Sequence, residues 1–265
     1  MKKSMQWRNW IWVVVFPVFL WQCAGTGSQG GRLLQEVASH NLAIDSTITA
    51  DPAMEALISP YRNEVNTTMN VVIARAGVDL KKGKPEATLN NLVADLMLQK
   101  ANEADTQKVD VAITNVGGLR IDIPKGPITL RKVYELMPFE NELVVLEFTG
   151  LQMRELAKQI GSQHGECIAG MRIEVEGDRL NKFSIQGGVV NPDQIYRVVT
   201  TDYLSSPGRD KMEILGQVPR RFLGVKLRDA ILDGLKAFEA EGKPVSAKID
   251  GRMVVVGSSR PQNQN

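Results

Sequence analysis

The stretch from Glu86 to Arg120 narrows the choice of fold more than any other part of this chain, because its hydrophobic period changes partway along. From Glu86 to Asn102, Leu89, Leu92, Val93 and Leu96 recur at helical spacing, and Met97 and Ala101 widen the stripe, which predicts an amphipathic helix. Val109 to Thr114 follows as a short β-type run. It ends in Asn115-Val116-Gly117-Gly118-Leu119-Arg120, where two adjacent glycines permit backbone angles closed to other residues. A helix that returns into a strand ending in a glycine loop requires a mixed fold.

The downstream sequence extends this pattern. Thr129 caps a short helix carrying Leu130, Val133 and Leu136, which must stop near Pro138. Glu142 to Phe148 is β-rich, and Thr149 with Gln152 has capping-box spacing for a helix bearing Leu151, Glu155, Leu156 and Ile160. Strands are expected at 171–175, 182–186 and 195–201. A helix is expected over Lys226 to Ala240, with Leu227, Ile231, Leu235 and Phe238 on one face. Val245 to Ile249 and Arg252 to Val256 flank Asp250-Gly251, which predicts a type I′ hairpin. The class is α+β, with one domain over residues 45–256 and a polar tail over 257–265 that is expected to be disordered.

The first residues are of another kind. Lys2, Lys3 and Arg8 precede the apolar run from Trp10 to Trp21, and Cys23 follows, which is the layout of an export signal over residues 1–22. The run is about twelve residues, whereas crossing a bilayer takes about 20. Leu20-Trp21-Gln22-Cys23 resembles a bacterial lipobox, although Gln22 stands where a small residue is usual. Lipidation at Cys23 would make the exported chain a membrane-anchored lipoprotein, with residues 23–44 as tether. Conventional cleavage between Ala24 and Ser28, giving a periplasmic protein, and retention as an uncleaved anchor are the alternatives. Without Lys2, Lys3 and Arg8 the formal charge of +2 becomes −1, and no basic stripe with interleaved aromatics points to a nucleic acid polymer.

Chemistry-bearing residues are sparse. The only histidines are His40 and His164, and no CxxC, HExxH or clustered metal-ligand pattern occurs, so no metal site is expected in this chain. His164-Gly165-Glu166-Cys167 invites a nucleophile reading, but a cysteine beside Ile168 and Ala169 is more often a small buried residue. Asn115, Gly117, Gly118 and Arg120 put an amide, open backbone and a fixed cation on one loop, which suits a polar or phosphorylated ligand, though taken alone such a motif more often marks a plain turn. Phe139 follows Pro138 at a helix end, and Tyr203 lies in a turn-rich loop after a strand. Aromatic rings at such edges can stack a nucleobase, or serve as core.

Together these segments resemble the C-terminal domain of the 5'-nucleotidase family, which includes bacterial UDP-sugar hydrolases and animal ecto-5'-nucleotidase. Glu86 to Asp95, EATLNNLVAD, is similar to the family's E-S-N-L-G-N-L-x-A-D, and DVAITNVGGLR from Asp110 to D-x-A-x-x-N-x-G-G-I-R. Gly126-Pro127-Ile128-Thr129, Pro138-Phe139-Glu140-Asn141 and Thr201-Asp202-Tyr203-Leu204 follow in the family's order.

The resemblance implies a four-layer α/β/β/α domain in which Phe139 and Tyr203 sandwich a base, Asn115 hydrogen-bonds the substrate and Arg120 faces its phosphate. The family's ribose-binding aspartate corresponds to Asp210 if one extra residue is accepted. A family arginine upstream of E-S-N-L has no match here, and Lys82 or Lys84 is the available substitute. In the family the two divalent metals and the catalytic residues reside in a separate N-terminal metallophosphatase domain. The resemblance therefore implies a nucleotide or nucleoside as ligand and a separately encoded metallophosphatase chain as partner. The alternative is a surface lipoprotein that captures nucleosides or nucleotides without catalysis.

Overall fold

The computed structural model describes residue 45, residues 47–208 and residues 212–257. Two compact units are distinguished, Met1–Pro52 and Ala53–Asn265, and the second carries the fold. Residues 1–44, with the export signal, Cys23 and the tether, lie outside the described residues, as do Asp210 and all of the polar tail beyond Gly257. Among the described residues no helix is long and apolar enough to cross a membrane.

The elements run α1 (Pro52–Met69), β1 (Val72–Ala76), α2 (Thr88–Ala104), β2 (Val111–Thr114), β3 (Gly126–Thr129), α3 (Leu130–Leu136), β4 (Glu142–Thr149) and α4 (Gly150–Ser162). They continue with β5 (Cys167–Ala169), β6 (Met171–Glu176), β7 (Arg179–Ile185), β8 (Gly188–Val189), β9 (Ile195–Thr201), β10 (Arg220–Lys226), α5 (Leu227–Ala240) and β11 (Met253–Val256). A central sheet has the order β10-β4-β9-β2-β5, a second sheet the order β11-β6-β7-β8, and β1 pairs with β3 alone.

The central sheet is covered on both faces, which explains why its strands read as continuous apolar runs. Successive residues of a strand point to opposite faces. Ala112, Leu143, Val145 and Val199 therefore join one core with α2, α3 and α5, through Leu89, Val93, Met97, Val133, Leu136, Ile231 and Leu235. Val111, Ile113, Val144, Leu146, Phe148 and Val198 join the other, with Met153, Leu156 and Ile160 of α4 and with Ile173, Val175 and Ile185 of the second sheet. Helices α2, α3 and α5 thus cover one face of the central sheet, and α4 with the second sheet covers the other, a mixed fold of the α+β class that the sequence implies.

Local signals set several boundaries. Thr149 Oγ1 accepts the Gln152 amide while Gln152 Oε1 accepts the Thr149 amide, so the capping box starts α4 where the spacing places it. Thr129 Oγ1 accepts the Lys132 amide at 3.3 Å and starts α3.

The expected hairpin around Asp250-Gly251 does not form. β11 instead pairs in parallel with β6, Met253 opposite Ile173, and Val245 makes an isolated parallel bridge with Ala76. The turn residues are engaged elsewhere, because Glu86 accepts the amides of Asp250 at 2.8 Å and of Gly251 at 3.0 Å. Gly251 has φ +76 and Asp250 does not share that sign, whereas a type I′ turn needs both.

Candidate functional site

Three loops meet at one edge of the central sheet because of strand direction. β2 and β9 are parallel, with Val111 opposite Val198, while β4 runs antiparallel to β9, with Leu143 opposite Thr201. The C-terminal ends of β2 and β9 therefore lie beside the N-terminal end of β4. Asn115 to Arg120 leaves the first, the Tyr203 loop leaves the second, and the Phe139 loop enters the third. Backbone bonds join them: the Arg120 amide donates to Leu136 O at 2.9 Å, and the Asp202 amide to Glu142 O at 2.9 Å.

The first loop is a tight turn at Val116–Gly118, closed by bonds from the Gly118 amide to Asn115 O and from the Leu119 amide to Val116 O. The Asn115 side chain folds back over it. A Cβ on Gly118 would stand 2.9 Å from Asn115 Oδ1, so the glycine leaves the space the amide occupies. Arg120 is exposed, and its Nη1 donates to Gly117 O at 3.2 Å. The two lysines considered as substitutes for the missing arginine are both engaged. Lys82 Nζ donates to Leu119 O at 2.6 Å and Arg120 O at 3.2 Å, and Lys84 Nζ to Gln163 O at 2.9 Å and Glu166 Oε1 at 2.5 Å. Both flank a groove of about 890 Å³ between residues 79–88 and 249–255.

The Phe139 loop is held from beneath by Arg228, a buried residue that the sequence reading passed over as part of a helix. Its guanidinium lies 4.2 Å from the centre of the Tyr134 ring, Nη1 donates to Met137 O at 3.4 Å and Phe139 O at 3.5 Å, and Nη2 donates to Glu140. Lys226 Nζ takes the other Glu140 oxygen. Lys226 first and Arg228 second hold the Glu140 carboxyl at about 2, against an ordinary 4.5. The folded state thus takes up this proton less readily than the unfolded chain. The stability involved is complete above about pH 4.5 and is lost as pH falls through about 2. The difference in melting temperature between the wild type and Glu140→Gln should hold constant from neutral pH down to about 5, then shrink between 4.5 and 2. Thermal melts across that range check this, and a difference undiminished near pH 2 would contradict it. The carboxylate is exposed, so the difference is small and salt-sensitive.

The Tyr203 loop is organised by Asp202, whose Oδ1 accepts the amides of Tyr203 at 2.8 Å and Glu142 at 3.1 Å. Its carbonyl accepts Ser206 Oγ at 2.8 Å and Arg220 Nη1 at 3.3 Å. Phe139 and Tyr203 are 39% and 37% exposed, so neither ring is sealed in a core and each keeps surface for a ligand. The structure thus brings together the loops of Asn115, Gly117, Gly118 and Arg120, of Phe139 and of Tyr203.

Cys167 is buried, and burial first, then the Glu166 charge, push its thiol well up, which suits a core residue and no nucleophile. Glu166, which no motif marks, accepts the Val116 amide at 2.6 Å. Its burial depends on chain contacts that a linear sequence does not display. Among the described residues no three His, Cys, Asp or Glu side chains are gathered to hold a metal ion, so these residues do not fit a two-metal centre.

Residues 64–217 match the family described as 5'-nucleotidase, C-terminal domain. The chain is 28% identical over 241 residues to the trifunctional nucleotide phosphoesterase protein YfkN of Bacillus subtilis, covering 80% of this chain and 16% of that protein. It is 25% identical over 180 residues to a 5'-nucleotidase of Vibrio parahaemolyticus, covering 64% of this chain and 31% of that protein. Among solved structures, the 5'-nucleotidase precursor of Thermus thermophilus superposes with a TM-score of 0.66 at 30% identity, over 78% of this chain and 43% of that one. The chain therefore spans less than half the length of each of these relatives.

Proposed function

The chain belongs to the 5'-nucleotidase C-terminal domain family, and from that premise we propose that it is the nucleotide-recognition half of a 5'-nucleotidase. One observation carries the reading: strand direction gathers the Asn115–Arg120, Phe139 and Tyr203 loops at a single sheet edge. There the two aromatic rings take the base, Asn115 supplies an amide, and Arg120 supplies a permanent cation toward the phosphate side. By the family resemblance Asp210, which lies outside the described residues, is assigned to the ribose. These groups bind and orient the ester.

In this reading hydrolysis falls to a separately encoded metallophosphatase chain that brings two divalent metals, the partner that the family resemblance implies. Export, with the chain anchored through a lipid on Cys23, belongs to the same proposal and rests on the sequence pattern of residues 1–23.

The test is reconstitution. The purified chain alone should leave AMP intact, and a metallophosphatase recovered with the native protein should release phosphate faster when the chain is added back. Repeated recovery of the native protein without such a partner would favour a nucleotide-binding lipoprotein.

A further inference from the structure

Glu166 is a buried acid with an unusual neighbour. Only 4% of its side chain is exposed, Oε2 accepts the Val116 amide at 2.6 Å, and Oε1 accepts Lys84 Nζ at 2.5 Å. An ionised carboxylate in such a place is tolerated only when paired and hydrogen-bonded, and here the two oxygens divide those tasks. The lysine offsets the charge. The amide belongs to the peptide that follows Asn115, so the carboxylate fixes the plane from which the Asn115 side chain departs.

We infer that Glu166 is a positioning residue for the ligand-binding turn, holding the Asn115–Val116 peptide so that the Asn115 amide meets a bound nucleotide; this rests on the function proposed above. The fold supplies the means. β5 pairs antiparallel with β2, Cys167 opposite Thr114, so the residue before β5 lies beside the residues after β2. Gly165 brings the chain there with φ +101, and a Cβ at that position would stand 2.3 Å from Pro85 O, next to Lys84. Strand pairing and a close glycine contact thus bring Lys84, Glu166 and Val116 into one line. Glu166 does not touch the ligand.

The experiment compares Glu166→Ala with Glu166→Gln in the full chain. AMP affinity is measured by calorimetry, with thermal melts and the Val116 amide resonance read in parallel. Glutamine keeps an oxygen acceptor for the Val116 amide and alanine does not. Glu166→Ala should lose at least about tenfold in AMP affinity and Glu166→Gln no more than about threefold, and only the alanine variant should move the Val116 amide upfield.

Equal affinities for the two variants and the wild type would overturn the inference, leaving the acid as a core feature. If the alanine variant does not fold, a tenfold loss in the glutamine variant would also overturn it. A wild type that binds no AMP would overturn the site reading itself and this inference with it. A wild type that binds while both variants match it would overturn this inference alone.

Discussion

Replacing Phe139 by alanine is expected to weaken AMP binding by roughly fivefold to a hundredfold while leaving the melting temperature within about 2 °C of the wild type. Stacking of one base on one aromatic ring contributes about 1 to 3 kcal/mol, and that sets the range. The stability effect is small because the ring is already 39% exposed and leaves little cavity when removed. Isothermal titration with AMP, beside a thermal melt, separates the two quantities. Unchanged affinity would remove Phe139 from the site.

Arg228→Ala is expected to affect both quantities. The guanidinium is buried, stacks on Tyr134, bonds two carbonyls of the Phe139 loop and pairs with Glu140. Its removal takes away a cation–π contact and leaves the Met137 and Phe139 carbonyls without those donors, a loss of about 2 to 4 kcal/mol. Glu140 keeps Lys226, so the carboxylate is not stranded. AMP affinity should fall with it, because Phe139 loses the anchor beneath its backbone. Urea unfolding and the same titration check both. Full stability in the variant would mean that this side chain does not hold the loop.

The Arg228 Nε is buried with no hydrogen-bond partner among the described residues. Buried donors left unpaired are uncommon and costly.

How far the sequence could be read depended on whether the deciding contacts were local. The capping box at Thr149 and Gln152, the cap at Thr129 and the apolar stripe of α2 lie within a few residues of one another, and each emerged where the spacing put it. The edge strand β10 was not anticipated. Its residues are exposed except for the half-buried Leu223 and Val225, so no apolar run announces it, and its place comes from pairing with β4.

The Asp250-Gly251 turn failed for a related reason. Its dipeptide favours a hairpin, but Glu86, distant in sequence, takes both amides and β6 takes the strand that follows. α1, an 18-residue helix without a buried residue, offered no core stripe and was not foreseen; Arg131 ties it to the body through Asn66 and Asn70.

The candidate site divides in the same way. Asn115, Phe139 and Tyr203 were legible because they sit in short motifs whose order resembles a known family. Glu166 and Arg228, which hold two of those loops, were not. Each is a charged residue buried by partners from other elements, Lys84 and Val116 for one, Tyr134 and Glu140 for the other. No local periodicity marks such a residue, and the usual expectation for a charged side chain is the surface.

The central claim is that one sheet edge receives a nucleotide, and the most direct test is an amide spectrum of the isotopically labelled chain titrated with AMP. The account predicts saturable shifts at Val116, Gly118, Arg120, Phe139 and Tyr203, with the groove between residues 79–88 and 249–255 responding no more than the rest of the domain. Shifts centred on that groove, or none at millimolar AMP, would contradict it.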